Sequence, residues 1–239
     1  MKHPIRNLAL ALGLLSLPAA TQAVRAADDA STTATATADA ADKEELKLEL
    51  PAPMFMGTPT NIKSSNLEKI TGKKRAAFMV PTGTVLLSAE KPVTAQDMAP
   101  VIGEVTMVTD GDKEGSDGSF VELEPGKTWV QIDLEQPATL AAILLWHYHG
   151  EARVYRDVVV QVSDDPEFAS GVTTLYNNDH DNSSGLGLGK DKEYIETNEG
   201  RLIDAKGAKG RYLRFYSNGN STNELNHYVE IEVYGAAQP

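Results

Sequence analysis

Apolar residues at every second position mark the C-terminal half of the chain as a series of half-buried strands. In Thr128 to Leu134 (TWVQIDL), Val130, Ile132 and Leu134 share one face. In Val154 to Ser163 (VYRDVVVQVS) the shared face holds Val158, Val160 and Val162. Arg211 to Ser217 (RYLRFYS) offers Leu213 and Phe215, and Tyr228 to Tyr234 (YVEIEVY) turns Val229, Ile231 and Val233 inward. Ala138 to His149 (ATLAAILLWHYH) is apolar on both faces, which predicts a central strand covered on two sides; a buried helix is the alternative. Gly, Asp, Asn and Pro clusters separate these stretches, with no helical period between them. Many short strands without helices predict an all-β sandwich or jelly roll over residues 86–236.

Upstream the pattern changes. Ala27 to Asp42 (ADDASTTATATADAAD) lacks large apolar side chains and cannot offset its own ordering entropy. With the weakly alternating start of KEELKLEL it forms a low-complexity linker over residues 27–46. Residues 47–85 hold Pro51, Pro53, Pro59 and Pro81, which argue against long regular elements. Met54, Phe55, Met56, Phe78 and Met79 argue against pure disorder. The expectation is an irregular, extended N-terminal arm that packs these side chains on the domain behind it. Docking of a protein partner through residues 51–83 is the alternative. Residues 1–26 read as a secretory signal peptide: Lys2 and Arg6, a short apolar run from Leu8 to Leu17, Pro18, then small residues, with cleavage after Ala26 or Ala23. The expected destination is secreted or periplasmic. The apolar run is too short for a membrane span, and no later stretch resembles a transmembrane helix.

Charge and composition narrow the functions. With 22 basic and 34 acidic residues the formal net charge is -12, which disfavours nucleic acid and anionic lipid as partners. The absence of cysteine excludes disulfides, thiol catalysis and thiolate-held metals. The sequence has no G-x-S-x-G, no H-E-x-x-H and no P-loop, so a non-catalytic reading is favoured.

Two polar stretches carry candidate chemistry. Asp110-Gly111-Asp112-Lys113-Glu114-Gly115 places acids at alternating positions with glycines for a sharp turn, a pattern suited to Ca²⁺. The EF-hand likeness fails at its twelfth position, which is Val121, and a solvated turn is the plain alternative. Tyr176 to Gly189 (YNNDHDNSSGLGLG) is a long polar loop in which Asp179-x-Asp181-x-Ser183 hints at a second cation site. Between them, Trp146-His147-Tyr148-His149 sets two histidines on one strand face. With Asp179, His180, Asp181 or His227 they would make a zinc centre, and so a metal-dependent enzyme, conceivable. A sugar site needs an aromatic face and polar groups for hydroxyls. Trp146, Tyr148, Tyr155, His147, His149, Arg153, Asn178, Asp179, His180 and Asn218 supply those types.

Taken in order, the segments Val108 to Asp112, Trp129 to Leu134, Val158 to Asp165, Gly210 to Arg214 and Glu230 to Gly235 resemble the discoidin, or coagulation-factor C-type, family. Its relatives include galactose-binding-like carbohydrate-binding modules. The resemblance implies a β-sandwich jelly roll with a structural calcium and with ligand loops at one pole. Matching positions imply calcium ligands from the side chains of Asp110, Asp112 and Glu230. Backbone oxygens of Met107, Gly115 and Val229 would complete the shell. The function implied is a secreted, non-catalytic module that recognises carbohydrate or another extracellular surface ligand. The sequence departs from sugar-binding relatives in lacking an aromatic tip between Asn218 and Asn226.

Overall fold

A computed structural model describes residues 42–56, 59, 62 and 64–238. The signal peptide and nearly all of the linker lie outside the described residues.

The described residues form eleven strands, which follow the alternating pattern, and one short 3-10 helix. They are β1 (Lys43–Glu45), β2 (Met79–Pro81), β3 (Val85–Leu86), β4 (Val93–Ala95), the 3-10 helix Val105–Thr109, β5 (Val121–Leu123), β6 (Lys127–His147), β7 (Val159–Ser163), β8 (Thr173–Asn177), β9 (Arg201–Asp204), β10 (Lys209–Asn218) and β11 (Asn226–Ala237). All strand pairs are antiparallel.

The fold turns on β6. Two stretches expected as separate strands, Thr128 to Leu134 and Ala138 to His149, form one continuous strand of 21 residues. Its first half pairs with β4 and β10, and its second half pairs with β9 and β11. Glu135 at φ 66 and Pro137 lie where the partners change, so the strand passes from one layer of the sandwich to the other. β7 and β8 extend the first layer beyond β10, while β3 and β5 line the far side of β11. The inward faces meet in one core. Val130, Ile132, Val160, Val162, Leu213 and Phe215 pack with Leu140, Ile143, Leu145, Ile231 and Val233. Burying each of these side chains contributes about 1.5–3 kcal/mol.

The outward face of β6 is covered too, which accounts for the run being apolar on both sides. Trp146 and Leu144 pack with Phe120 and Val229 beneath Leu48 and Leu202. Ala142 and Tyr234 lie beneath Leu46, Phe78 and Val80. The arm supplies this cover: β1 and β2 pair with each other, so Leu46, Leu48, Phe78 and Val80 close over the second layer. The methionines of the arm do not share in it. Met54 and Met79 are about half exposed and Met56 is 95% exposed. Polar contacts fix the rest of the arm: Asn198 Nδ2 donates to the Pro51 carbonyl, and Leu67 bridges to Glu193.

Candidate functional site

Three loops converge at one end of the sandwich. The segment entering β7 is zipped to the one leaving β10: Asn218 N donates to the Arg156 carbonyl, Arg156 N to Gly219, and Ser221 N to Val154. The third loop, 178–189, leaves β8. It is tied to β7 by Val158 N donating to Asn178 Oδ1 (2.7 Å) and Asn178 N to the Val158 carbonyl (3.1 Å).

The sequence fixes the third loop through its own short side chains. Asn177 Oδ1 accepts from Asp179 N, Asp179 accepts from the backbone of Ser183 and Ser184, and Asn182 Oδ1 accepts from Gly187 N. Such side-chain-to-backbone bonds are how Asx-rich segments hold a loop without a ladder. Gly189 closes it: a Cβ there would lie 2.5 Å from Asn177 Oδ1 and 2.6 Å from Asp179 N. The tip of the loop faces an open cleft.

That cleft has a volume of about 690 Å³. Asp157, Asn178, His180, Asp181, Ser183 and Asn218 line it, with Arg156, Glu193 and Glu224 at its edges. Asp157 ties the walls together, because its Oδ2 accepts from Ser183 Oγ and from Asn218 Nδ2, each at 2.7 Å. Asn66 of the arm reaches the same end, with Nδ2 3.1 Å from His180 Nδ1. Burial works to raise the Asp179 carboxyl, but hydrogen bonds from Ser184 and Ser183 outweigh it and hold the group below the ordinary carboxylate range. One ligand atom from each of Asp157, Asp179 and Asp181 lies within 4.8 Å of the others, so this group could hold a metal ion.

Of the residues expected to contact ligand, Asn178, Asp179, His180 and Asn218 meet here. The other six, Tyr148 among them, lie elsewhere. Trp146 is fully buried under Leu48, with its Nε1–H donating to the Asn198 carbonyl at 2.9 Å. His147 points into the sandwich, where its ring stacks on Tyr155 at 4.3 Å and Nδ1 meets Glu196 Oε1 at 2.7 Å. Tyr155 is itself buried, its hydroxyl 3.0 Å from His227 Nδ1. His149 is buried, and its Nε2–H donates to the Lys113 carbonyl at 2.9 Å. Arg153 lies over the Tyr148 ring at 4.5 Å and pairs with Glu151. Alternation on β6 sends His147 to the core and Trp146 under the arm, and past the strand end Tyr148 packs on Phe120 and His149 on the 110–115 loop, so none of WHYH reaches the cleft.

The histidines do not build a zinc centre. Among the described residues, the only group of three or more His, Cys, Asp or Glu that could hold a metal is Asp157, Asp179 and Asp181. His147 and His227 belong to an internal chain that runs from Glu196 through Tyr155 to Glu122. Burial, with Arg153 and His147 nearby, pushes the His227 pKa down to about 4, which keeps that imidazole neutral at physiological pH.

The Asp110 loop is a second, distinct acidic site, set against β11. A bulge in the β6–β11 register falls at Val229, between Tyr228 and Glu230. The Glu230 side chain is buried, and its Oε2 accepts from Gly111 N at 3.1 Å. Burial first, then the carboxylates of Asp110 and Glu232, push its pKa up to about 9. Lys113 opposes them and pairs with Glu232 at 2.6 Å. Asp110 and Asp112 each accept a hydrogen bond from the backbone two residues on. Gly115 is in the left-handed region at φ 62, and a Cβ there would lie 2.8 Å from His149 Nε2. Met107 sits in the 3-10 helix, partly packed on the core. Asp110, Asp112 and Glu230, the side chains that the resemblance implies as calcium ligands, do not form a metal-holding group of the kind seen at Asp157, Asp179 and Asp181.

Comparison with solved structures returns chains of low identity and TM-scores below 0.5. The CBM32 of AlyQ in complex with 4,5-unsaturated mannuronic acid is 17% identical, with a TM-score of 0.45, over 59% of this chain and 92% of that one. The chitosan-binding module 1 of a chitosanase/glucanase from Paenibacillus sp. IK-5 is 21% identical, with a TM-score of 0.43, over 63% of this chain and 99% of that one. A fucolectin from striped bass (Morone saxatilis) serum is 15% identical, with a TM-score of 0.46, over 68% of this chain and 51% of that one. The chain spans 34% of the truncated AlyQ that carries CBM32 and alginate lyase domains. The likeness is one of fold. No protein-family model matches the chain, and no curated protein matches it. No helix among the described residues is long and apolar enough to cross a membrane.

Proposed function

We propose that the chain is an exported, non-catalytic binding module that takes a saccharide in the cleft formed by the three convergent loops. The observation that carries this reading is the cleft lining. Carboxylates, carboxamides, a serine hydroxyl and an imidazole face one open space of about 690 Å³. These are the groups that exchange hydrogen bonds with sugar hydroxyls, and they stand on loops held by a rigid sandwich. Among the described residues the lining carries no Phe, Tyr or Trp. Recognition there runs through hydrogen bonds rather than through stacking on an aromatic face. The charge of the lining favours neutral or amine-bearing sugars, since Asp157, Asp181, Glu193 and Glu224 outnumber Arg156.

Calcium in this reading is structural. Asp110, Asp112 and Glu230, with backbone oxygens of Met107, Gly115 and Val229, would hold it. It would supply the positive charge that the buried Glu230 carboxylate lacks and would tie the 110–115 loop to β11. A glycan array probed with the full chain tests the saccharide reading, with Asp181→Asn as control. Binding to neutral or amino sugars that falls at least tenfold in the variant is expected. An array without hits overturns it.

A further inference from the structure

A second groove lies between the arm and the ridge that leads into β9. It is about 490 Å³ in volume, with Phe55, Ile70 and Ile195 among its apolar lining. Its charges are opposite to those of the loop cleft. Lys69, Lys73, Arg75 and Arg201 line it against only Glu68 and Glu199, in a chain whose net charge is -12.

Both acids are already engaged. Glu68 Oε2 accepts from Arg201 Nη1 at 2.8 Å, and Glu199 Oε2 lies 3.6 Å from Arg75 Nε. Arg75 is anchored through Nη2, which donates to the carbonyls of Glu199 (2.6 Å) and Gly200 (2.5 Å). Its Nη1 and the Nε of Arg201 are buried and have no acceptor. An unmatched guanidinium N–H is costly to bury, so these two donors call for an acceptor, while the charge left uncompensated in the groove is that of Lys69 and Lys73. Burial, with Arg201 nearby, pushes the Arg75 pKa below its ordinary value against the pull of Glu199. Lys69 and Lys73 are exposed at the rim, and neither forms an ion pair among the described residues.

We infer that this groove is a second binding site, for the carboxylate or sulfate group of an acidic saccharide. Guanidinium groups suit planar or tetrahedral oxyanions, the lysines add steering from the rim, and Phe55 and Ile70 offer apolar surface to a sugar ring. The lining of this groove shares no residue with that of the loop cleft, and its charge would repel the amine-bearing sugars that the acidic cleft attracts.

The test is calorimetric titration of the full chain with a galacturonic acid oligomer at low ionic strength, using its methyl ester as the neutral control. Saturable binding of the acid form is expected, weakened by salt. Lys69→Glu/Lys73→Glu should reduce it at least tenfold, while Asp181→Asn leaves it within twofold. Arg75→Gln should also reduce it; because that change removes arm contacts, its melting curve is read alongside, and the rim variant stands alone if Arg75→Gln unfolds. No binding of the acid form, equal binding of the ester, or an unaffected rim variant overturns the inference. Full displacement by inorganic sulfate at matched concentration overturns the saccharide part. Loss of neutral-sugar binding in Asp181→Asn with acid binding intact separates this groove from the loop cleft.

Discussion

The two acidic loops of this protein look alike in sequence and differ in what surrounds them. The 110–115 loop is backed by buried groups: Glu230 beneath Gly111, and His149 against Lys113 and Gly115. The 178–189 loop is held mainly by bonds within itself, with Asp179 buried among them, and turns Asp181 to an open cleft. A loop of acids set over a buried carboxyl group is where the proposed ion would do structural work. A carboxylate on a self-supporting loop beside open space can exchange its water for a ligand. The difference lies in the second partner of each side chain rather than in the spacing of the acids.

Changes beneath the first loop should cost stability. Trp146→Ala, next to that loop and away from the cleft, should lose about 3–5 kcal/mol, as a buried aromatic does. Denaturant melts read the loss, and sugar affinity of the folded fraction should stay within twofold. A large affinity loss with little change in stability would return Trp146 to the ligand site. Chelation is expected to be next in size. If calcium is bound at a hundredfold excess over its Kd, removing it costs about 2.7 kcal/mol, seen as a lower Tm that calcium alone restores. A melting curve indifferent to chelator would sink the calcium reading. Gly115→Ala should cost about 2 kcal/mol, since a side chain at φ 62 is strained and would press on the His149 ring.

Changes at the second loop should reverse the balance. Asp181→Asn is exposed and should move stability by under about 0.5 kcal/mol while it weakens sugar binding about tenfold. If stability fell and binding held, the two loops would have to exchange roles.

The smallest effect is a control on the sandwich itself. Arg211 holds Asp133 through two bonds of 2.7 and 2.8 Å. The hydrogen bond from Arg211 keeps this carboxyl below its ordinary value, against partial burial. Its folded pKa is therefore lower than its unfolded one. Its contribution is present above about pH 4 and is lost as the pH falls through the folded value. Asp133→Asn should flatten that acid limb and cost under about 1 kcal/mol at neutral pH, the usual size for a half-exposed pair.

The strands were legible because their period is local. Val130, Ile132 and Leu134 face the core whatever the rest of the chain does. The path of β6 was less so: nothing in TWVQIDL and ATLAAILLWHYH says that they join into one strand across two layers. The apolar outer face of that strand was visible, but its cover was not, because Leu48 and Phe78 are distant in sequence and belong to an arm without periodicity. That omission placed Trp146 at the surface, while His149 is covered by the 110–115 loop. The loop cleft was half legible. Asn178, Asp179, His180 and Asn218 stood out as polar residues on turns. Asp157 and Asp181 come to the same site through long-range pairing: Asp157 sits inside an apparent strand, and Asp181 was read only as part of a cation motif. The Asp-Val step at 157–158, where the polar pattern meets the apolar run, was the one signal that Asp157 ends a loop.

The central claim is most directly tested by NMR of the ¹⁵N-labelled full chain, titrated with the best neutral or amino sugar from the array. The account predicts saturating shift changes at Asp157, His180, Asp181 and Asn218, with the 110–115 loop unmoved. Binding that leaves those four residues unchanged and shifts the WHYH strand instead would contradict it.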